Sequence, residues 1–330
     1  MSIVQLPIAK SPIVGLQYTA YTLNILLNYE DSLPWFYSNY IQLFWSSKKP
    51  LNFYPNSFSE NPLLSCQVLK KEIIETHNIN IHDFIIDCIN SKEYFYSQYD
   101  EYYVPNRRFY GNTHLVHDFM IYGYDADKKE YSIMGFNQKY DYGTTKISFE
   151  QFEKAFFSDS AKLEYIHILS KKENVKYEFD LQLVYEMLYD YYNSRNSSER
   201  CRMHKNTLVD MIFGMDIYKN LVDYFRSLID EGFGSDFTIF HTLLEHKECM
   251  LLRLEYMYNN KYIDDYKYLY EGFKNLAGEM VKMRNLHFKY FISKNKGCLE
   301  KIIKKLTEIE QKERDLLENM LNKIYHQLEK

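Results

Sequence analysis

The sequence predicts an α+β domain followed by an all-α helical bundle domain, and three features carry that expectation. Residues 1–172 mix Gly, Pro and short alternating segments, whereas the chain from about residue 177 onward contains no Pro and repeats apolar positions at intervals of three and four. The charged run Lys171-Lys-Glu-Asn-Val-Lys176 stands between the two regimes. With 330 residues the chain is long enough for two cores, so the expected domains are 1–172 and 173–330.

In the first part, residues 17–29 (QYTAYTLNILLNY) place Leu23, Leu26 and Leu27 at helical spacing, and Pro12 and Gly15 mark a turn just before them. A second helix is expected over residues 66–76 and a third over 82–89. Dense aromatics from Tyr94 lead into Val104-Pro105. Three strands are expected at about 94–104, 115–124 and 130–136, the last two joined by the turn Asp125-Ala-Asp-Lys-Lys129. Ser148, with Gln151 three residues on, has the spacing of a capping box and starts another helix. In the second part the apolar repeats run through Leu183, Met187 and Tyr191, then Leu208, Met211, Ile212 and Met215, then Met250, Leu251 and Leu254. Residues 299–328 set Ile302, Ile303, Leu306, Ile309, Leu316, Leu317, Leu321, Ile324 and Leu328 on one stripe. Four or five helices would bury these positions as a bundle, and the stripe leaves room for a homodimer.

The net charge of −5 supplies no global basic field, so neither nucleic acid nor a membrane is an expected partner. The first residues lack a basic stretch followed by a long apolar core, and no apolar run approaches the roughly 18 residues that span a bilayer. Cysteines at 66, 88, 201, 249 and 298 are odd in number and scattered, which fits a reducing cytoplasm better than a disulfide framework. The 33 tyrosines, beside many Asn, Lys and Ile, fit an AT-rich coding bias better than an aromatic binding surface.

The most informative stretch is His114-Leu-Val-His117-Asp-Phe-Met-Ile-Tyr-Gly-Tyr-Asp125, which sets a histidine at the head of an apolar strand ending in Gly-Tyr. Cysteine-dependent acyl transfer requires a thiolate, a base that makes it, and a third polar group that holds the imidazole. A helix N-terminus favours the thiolate through its dipole. His117 suits the base, and Gly123 permits close backbone approach. The strand Tyr131-Ser-Ile-Met-Gly-Phe-Asn137 ends in an amide that suits the orienting group, with Asp118 and Asp141 as rivals for that role. His114 reads as a loop residue facing another way.

The early helix 17–29, the segment Asp100-Glu-Tyr-Tyr-Val-Pro105 and the run from His114 to Asp125 together resemble the papain-like acyltransferases of natural-product assembly, of the butirosin-biosynthesis and closthioamide amide-synthase type. The resemblance covers roughly residues 10–160, and the helical half matches only loosely. It implies a papain-like cysteine-protease fold and an amide bond made from a carrier-protein-bound acyl thioester and a small amine. It also implies an acyl or peptidyl carrier protein as partner. No cofactor of the protein's own is implied, because the phosphopantetheine thioester arrives on the carrier. The family's cysteine opens the first helix, where this chain has Tyr18 or Ala20. Aligning Leu23, Leu26, Leu27 and Tyr29 favours Tyr18, while Ala20 is what a Cys-to-Ala substitution leaves. Neither is a nucleophile, and nothing lowers the pKa of the Thr19 hydroxyl enough to replace one. Three readings stand: an acyltransferase whose nucleophile has been substituted, a non-catalytic pseudoenzyme that binds a ligand or a carrier protein, and a peptidase that keeps the chemistry with water as acceptor.

Other residues carry plainer readings. Asp100 reads as a strand-end surface carboxylate apart from the resemblance. Cys66, at an expected helix start, has the dipole that activates thiols but is more simply a small buried residue. Cys201-Arg-Met-His204 lacks the second ligand pair a metal site needs. The basic stretch Lys294–Lys301 with Lys304 and Lys305 is a solvated helix face that could also meet an acidic carrier protein.

Overall fold

Backbone pairing, more than helix propensity, shapes the first part of the chain. The computed structural model describes residues 3–46, 50–54, 58–161, 164–201, 208–232 and 236–330. In chain order the elements are β1 (Ile3–Gln5), α1 (Gln17–Leu26), α2 (Leu33–Ser38), β2 (Gln42–Trp45), β3 (Asn52–Tyr54), β4 (Leu64–Lys70), α3 (Glu72–Thr76) and α4 (Ile81–Asn90). There follow β5 (Tyr94–Asp100), β6 (Val116–Asp125), β7 (Glu130–Phe136), β8 (Tyr142–Ser148), α5 (Phe149–Phe156) and β9 (Tyr165–Lys171). The remainder is α6 (Leu181–Tyr192), β10 (Ile212–Phe213), α7 (Ile217–Glu231), α8 (Thr238–Asn259), α9 (Lys267–Ser293) and α10 (Gly297–Leu328). The class is α+β, with an antiparallel sheet and a C-terminal helical region. No helix among the described residues is long and apolar enough to cross a membrane.

The chain forms two compact units, residues 1–30 with 57–176 and residues 31–56 with 177–330. In the first, a seven-stranded sheet runs in the order β4-β9-β5-β6-β7-β8, with β1 added to β6 beyond the end of β5. That addition requires Gly123. A Cβ there would stand 2.5 Å from the Val4 carbonyl oxygen, so any side chain would push β1 off its partner. Strand alternation then sorts the aromatics onto two faces. Tyr96 meets Tyr21 of α1 on one face, with ring centroids 5.3 Å apart. On the other, Phe95 meets Phe84 of α4, and Tyr99 meets Phe152 and Phe156 of α5.

The expected helices at 82–89 and after Ser148 are present, each with a built cap. The Asn80 side chain accepts from the N–H groups of His82 and Asp83, and Ser148 and Gln151 form a reciprocal capping box. The helix expected over 66–76 is instead β4 followed by the short α3. Seven consecutive residue pairings with β9, from Leu64↔Lys171 to Lys70↔Tyr165, override the helical preference of the sequence there. Lys71, between β4 and α3, is buried. Its ammonium donates to the carbonyls of Gln98 (2.5 Å) and Phe156 (3.2 Å) and lies over the Phe156 ring at 4.2 Å.

In the second unit, α8 packs on α9, and α10 packs on α6, α7 and α9. Residues 31–56, expected within the first domain, belong here instead, and buried polar contacts explain why. Arg253 of α8 donates to the carbonyls of Tyr37, Asn39 and Tyr40 at the end of α2, and His246 bonds the Ile41 carbonyl at 2.7 Å. The apolar stripe of α10 is buried at Ile302, Leu306, Ile309, Leu316, Leu317, Leu321 and Ile324. One charge sits within it. Glu313 is fully buried and pairs with Lys247, while Tyr191 (3.2 Å) and Tyr218 (2.5 Å) donate to its two oxygens. Lys247 also meets Nδ1 of His246 at 3.1 Å, so the imidazole keeps its proton on Nε2 for Ile41.

Removing Glu313 strands a buried ammonium and two phenols. Glu313→Ala is therefore expected to destabilise the chain by about 3–5 kcal/mol in chemical denaturation, while Lys247→Met with Glu313→Leu recovers most of that loss. A single variant as stable as the parent would contradict the network. Lys71 gives a pH signature. Burial, partly offset by Glu164, lowers its pKa from 10.5 to about 7. Between those values the unfolded chain binds a proton that the folded chain releases, so stability rises with pH across that window. Lys71→Met should remove that rise in Tm between pH 7 and 10, and an unaltered profile would refute the assignment.

Candidate functional site

The head of α1 is tied to the centre of the sheet by one carboxamide. Gln17, the first residue of the helix, donates from Nε2 to the Asp118 carbonyl and to Asp118 Oδ1, both at 2.8 Å, and its Oε1 accepts the Phe136 N–H at 2.8 Å. One side chain thus bridges β6 and β7. The Tyr21 hydroxyl, one turn on, reaches the Asp118 carbonyl at 3.4 Å. The polar residue of β6 that meets the helix head is therefore Asp118.

His117 stands beside it. Its Nδ1 lies 3.0 Å from Asp118 Oδ1, to which the protonated imidazole donates, and 3.9 Å from Glu101 Oε1. Burial alone would lower the imidazole pKa, but the hydrogen bond and charge of Asp118, with the charge of Glu101, outweigh it and raise the value above 6.5. Burial in turn pushes the Glu101 carboxyl up, against the pull of His117 and Arg107. The imidazole remains 43% exposed, so solvent screens these interactions.

The positions expected to hold a nucleophile are part of the packing. Tyr18 is half-buried: its hydroxyl accepts the Phe58 N–H at 2.9 Å, and its ring stacks on Phe58 with centroids 3.8 Å apart. Ala20 is completely enclosed and Thr19 nearly so, which leaves neither an opening to a substrate. Asn137 lies in the β7–β8 turn, where its side-chain oxygen accepts the N–H groups of Lys139 (2.8 Å) and Asp141 (3.1 Å). The carboxylate beside Nδ1 of His117 is that of Asp118, the rival to Asn137, and Asp141 belongs to the same turn as Asn137. Cys66 lies in β4 rather than at a helix start, and burial pushes its thiol pKa up. Cys201 is exposed, and His204 lies outside the described residues.

Two residues take places the sequence did not suggest. Asp100 is fully buried instead of lying on the surface. Its Oδ2 accepts from His114 Nδ1 (2.6 Å), Ser158 (2.6 Å) and Ser160 (2.8 Å), and its Oδ1 accepts the Tyr102 N–H (3.1 Å). Burial raises its pKa, yet these bonds together hold it below the usual value. His114, stacked on Tyr102 at 4.3 Å, is thus the histidine oriented by a buried carboxylate. No local signal marks this pair, because Ser158 and Ser160 arrive from beyond α5. Arg107 is the second. It is buried, its guanidinium donates to the Phe136 carbonyl, and it faces the Phe119 ring at 5.7 Å. Nothing in the sequence singles out Arg107.

No protein-family model matches the chain, and no curated protein matches it either. Gln17, Asp118, His117, Glu101 and Arg107 cluster around the helix head with charges of both signs. Among the described residues no group of three or more His, Cys, Asp or Glu could hold a metal ion.

The raised His117 pKa adds stability that is fully present below pH 6.5 and fades as pH rises through the folded-state value. Asp118→Asn keeps an acceptor for Gln17 but removes the charge. The His117 titration, followed by NMR, should move down, and the stability gap to the parent should narrow at higher pH. An imidazole that titrates as before would remove Asp118 from this role.

Proposed function

We propose that this chain is a non-catalytic binding protein on a papain-like acyltransferase scaffold, a pseudoenzyme in which Tyr18 occupies the place of the nucleophile. The observation that carries the reading is the double anchoring of Tyr18, by the Phe58 N–H at 2.9 Å and by ring stacking at 3.8 Å. A phenol bonded in this way closes the helix head that would otherwise present a thiol. Support for the scaffold is the meeting of the first buried helix with the strand that carries His117 near its start, within an antiparallel sheet. The remaining cluster suits recognition: a fixed carboxamide, an imidazole between two carboxylates, and a buried guanidinium. A carrier-borne acyl thioester and a small amine stay the ligand classes that the scaffold suggests, held here without acyl transfer.

An acyl-pantetheine thioester offered to the protein with an amine is expected to give no amide, and intact-mass and peptide mapping should find no adduct on residues 17–26. Adducts on exposed Cys201 serve as the background of direct thiol exchange. Amide production, or acylation of α1 in the native chain, would overturn the non-catalytic reading. In Tyr18→Cys, an adduct at residue 18 is the expected result, and its absence would remove the papain-like part of the proposal.

A further inference from the structure

The end of the α9–α10 hairpin is apolar and positively charged at once. From Met280 to Leu299 the chain carries Lys282, Arg284, Lys289, Lys294 and Lys296 with no Asp or Glu, a local excess that the overall charge of −5 conceals. α9 ends at Ser293, α10 begins at Gly297, and every residue from Phe291 to Lys296 is exposed. Such a run marks a protruding tip, not a face or a groove. Three large apolar side chains stand out there: Phe288 is 50% exposed, Phe291 48% and Ile292 80%. Phe237, the residue before α8, braces the two rings at centroid distances of 5.2 and 4.7 Å, and the Lys294 ammonium lies 4.8 Å from the centroid of Phe291. The turn answers its own backbone groups. The Tyr290 carbonyl accepts the Lys294 N–H at 2.7 Å, the Asn295 carbonyl accepts the Cys298 N–H at 3.0 Å, and Asn295 Oδ1 accepts the Gly297 N–H at 2.9 Å.

We propose that this tip docks on an anionic lipid surface, with Phe288, Phe291 and Ile292 entering the headgroup boundary and Lys289, Lys294 and Lys296 meeting the lipid anions. The charge pattern selects the partner. Lys282 and Lys305 share Glu279, whereas Lys289, Lys294 and Lys296 have no ion-pair partner among the described residues. Two acids flank the tip and both are engaged: Asp236 accepts the N–H and hydroxyl of Thr238, and Glu300 lies in the first turn of α10, where the helix dipole favours it. Large apolar side chains beside flexible cations are what an interfacial segment needs, because the lysine stems lie along the apolar boundary while their ammonium groups stay with the headgroups. The bonded turn carries few unanswered backbone groups into that boundary. A bilayer yields around a convex tip, whereas a protein partner must offer a pocket shaped to it. No residue of the tip belongs to the cluster around Tyr18 and His117, so lipid docking stands or falls apart from the binding reading given there.

Flotation of the full chain with vesicles of phosphatidylcholine plus phosphatidylserine, alongside vesicles of phosphatidylcholine alone, tests this. The parent is expected to float with the anionic vesicles, to be released as salt is added, and to stay largely unbound with the neutral ones. Phe291→Ser with Ile292→Ser removes apolar contact at exposed positions, where folding is not at stake, and should abolish retention. Lys294→Gln with Lys296→Gln should weaken it by about fivefold per charge removed, the scale of one lysine at an anionic leaflet. In Ile292→Trp the added indole emission, relative to the parent, should shift to the blue with the anionic vesicles only. No flotation of the parent, equal flotation with neutral vesicles, unchanged retention of the serine variant, an unshifted indole, or capture of an acidic amphipathic peptide by the tip in place of vesicles would each overturn the proposal.

Discussion

The three hydrogen bonds of the Gln17 carboxamide determine how the head of α1 sits on the sheet. Its nitrogen takes two oxygens of Asp118 on β6, and its oxygen takes the backbone N–H of Phe136 on β7. An amide has donors and an acceptor on one rigid plane, so this side chain can bridge two strands where a carboxylate or an ammonium could serve only one kind of partner. With that bridge in place, Tyr18 is directed at Phe58, Tyr21 at the Asp118 carbonyl, and Ala20 into the core. The same bridge brings Asp118, and through it His117, to the helix head.

The two units treat buried charge differently. In the helical unit Glu313 meets an ammonium and two phenols, and Arg253 meets three carbonyls. Such networks stabilise less than apolar packing of the same volume, but they fail badly when one partner is missing, and so they specify one arrangement of helices. In the sheet unit Asp100 is likewise saturated with donors. Arg107 departs from this pattern: its Nε and Nη2 are buried without a hydrogen-bond partner among the described residues. Incomplete satisfaction beside an imidazole and two carboxylates is a property of sites more often than of cores.

Local chemistry was legible where a few adjacent residues decide the outcome. The capping box at Ser148, the turn after Asp125 and the long helices of the second half all rest on near neighbours. The strand at 64–70 was not legible, because its residues are fair helix formers and only pairing with β9, a hundred residues away, extends them. Strands β1 and β9 escaped notice for a related reason: their partners, β6 for the one and β4 and β5 for the other, are distant in sequence. The candidate site was legible in part. His117 was readable from its place before an apolar strand, but its partner is Asp118 rather than Asn137, whose side chain closes its own turn.

By itself, the sequence determined the mixed class, the helical second half, the lack of a cysteine at the start of the first helix and the position of a histidine at the head of a central strand. These follow from composition, periodicity and residue identity, which need no knowledge of distant contacts. Only the tertiary structure decided that residues 31–56 join the helical unit, that Asp100 is buried against His114, and that Arg107 turns inward beside Gly135. Each of these depends on a polar group finding partners far along the chain, and the cost of burying such a group unanswered is set by the folded surroundings, not by its neighbours in sequence.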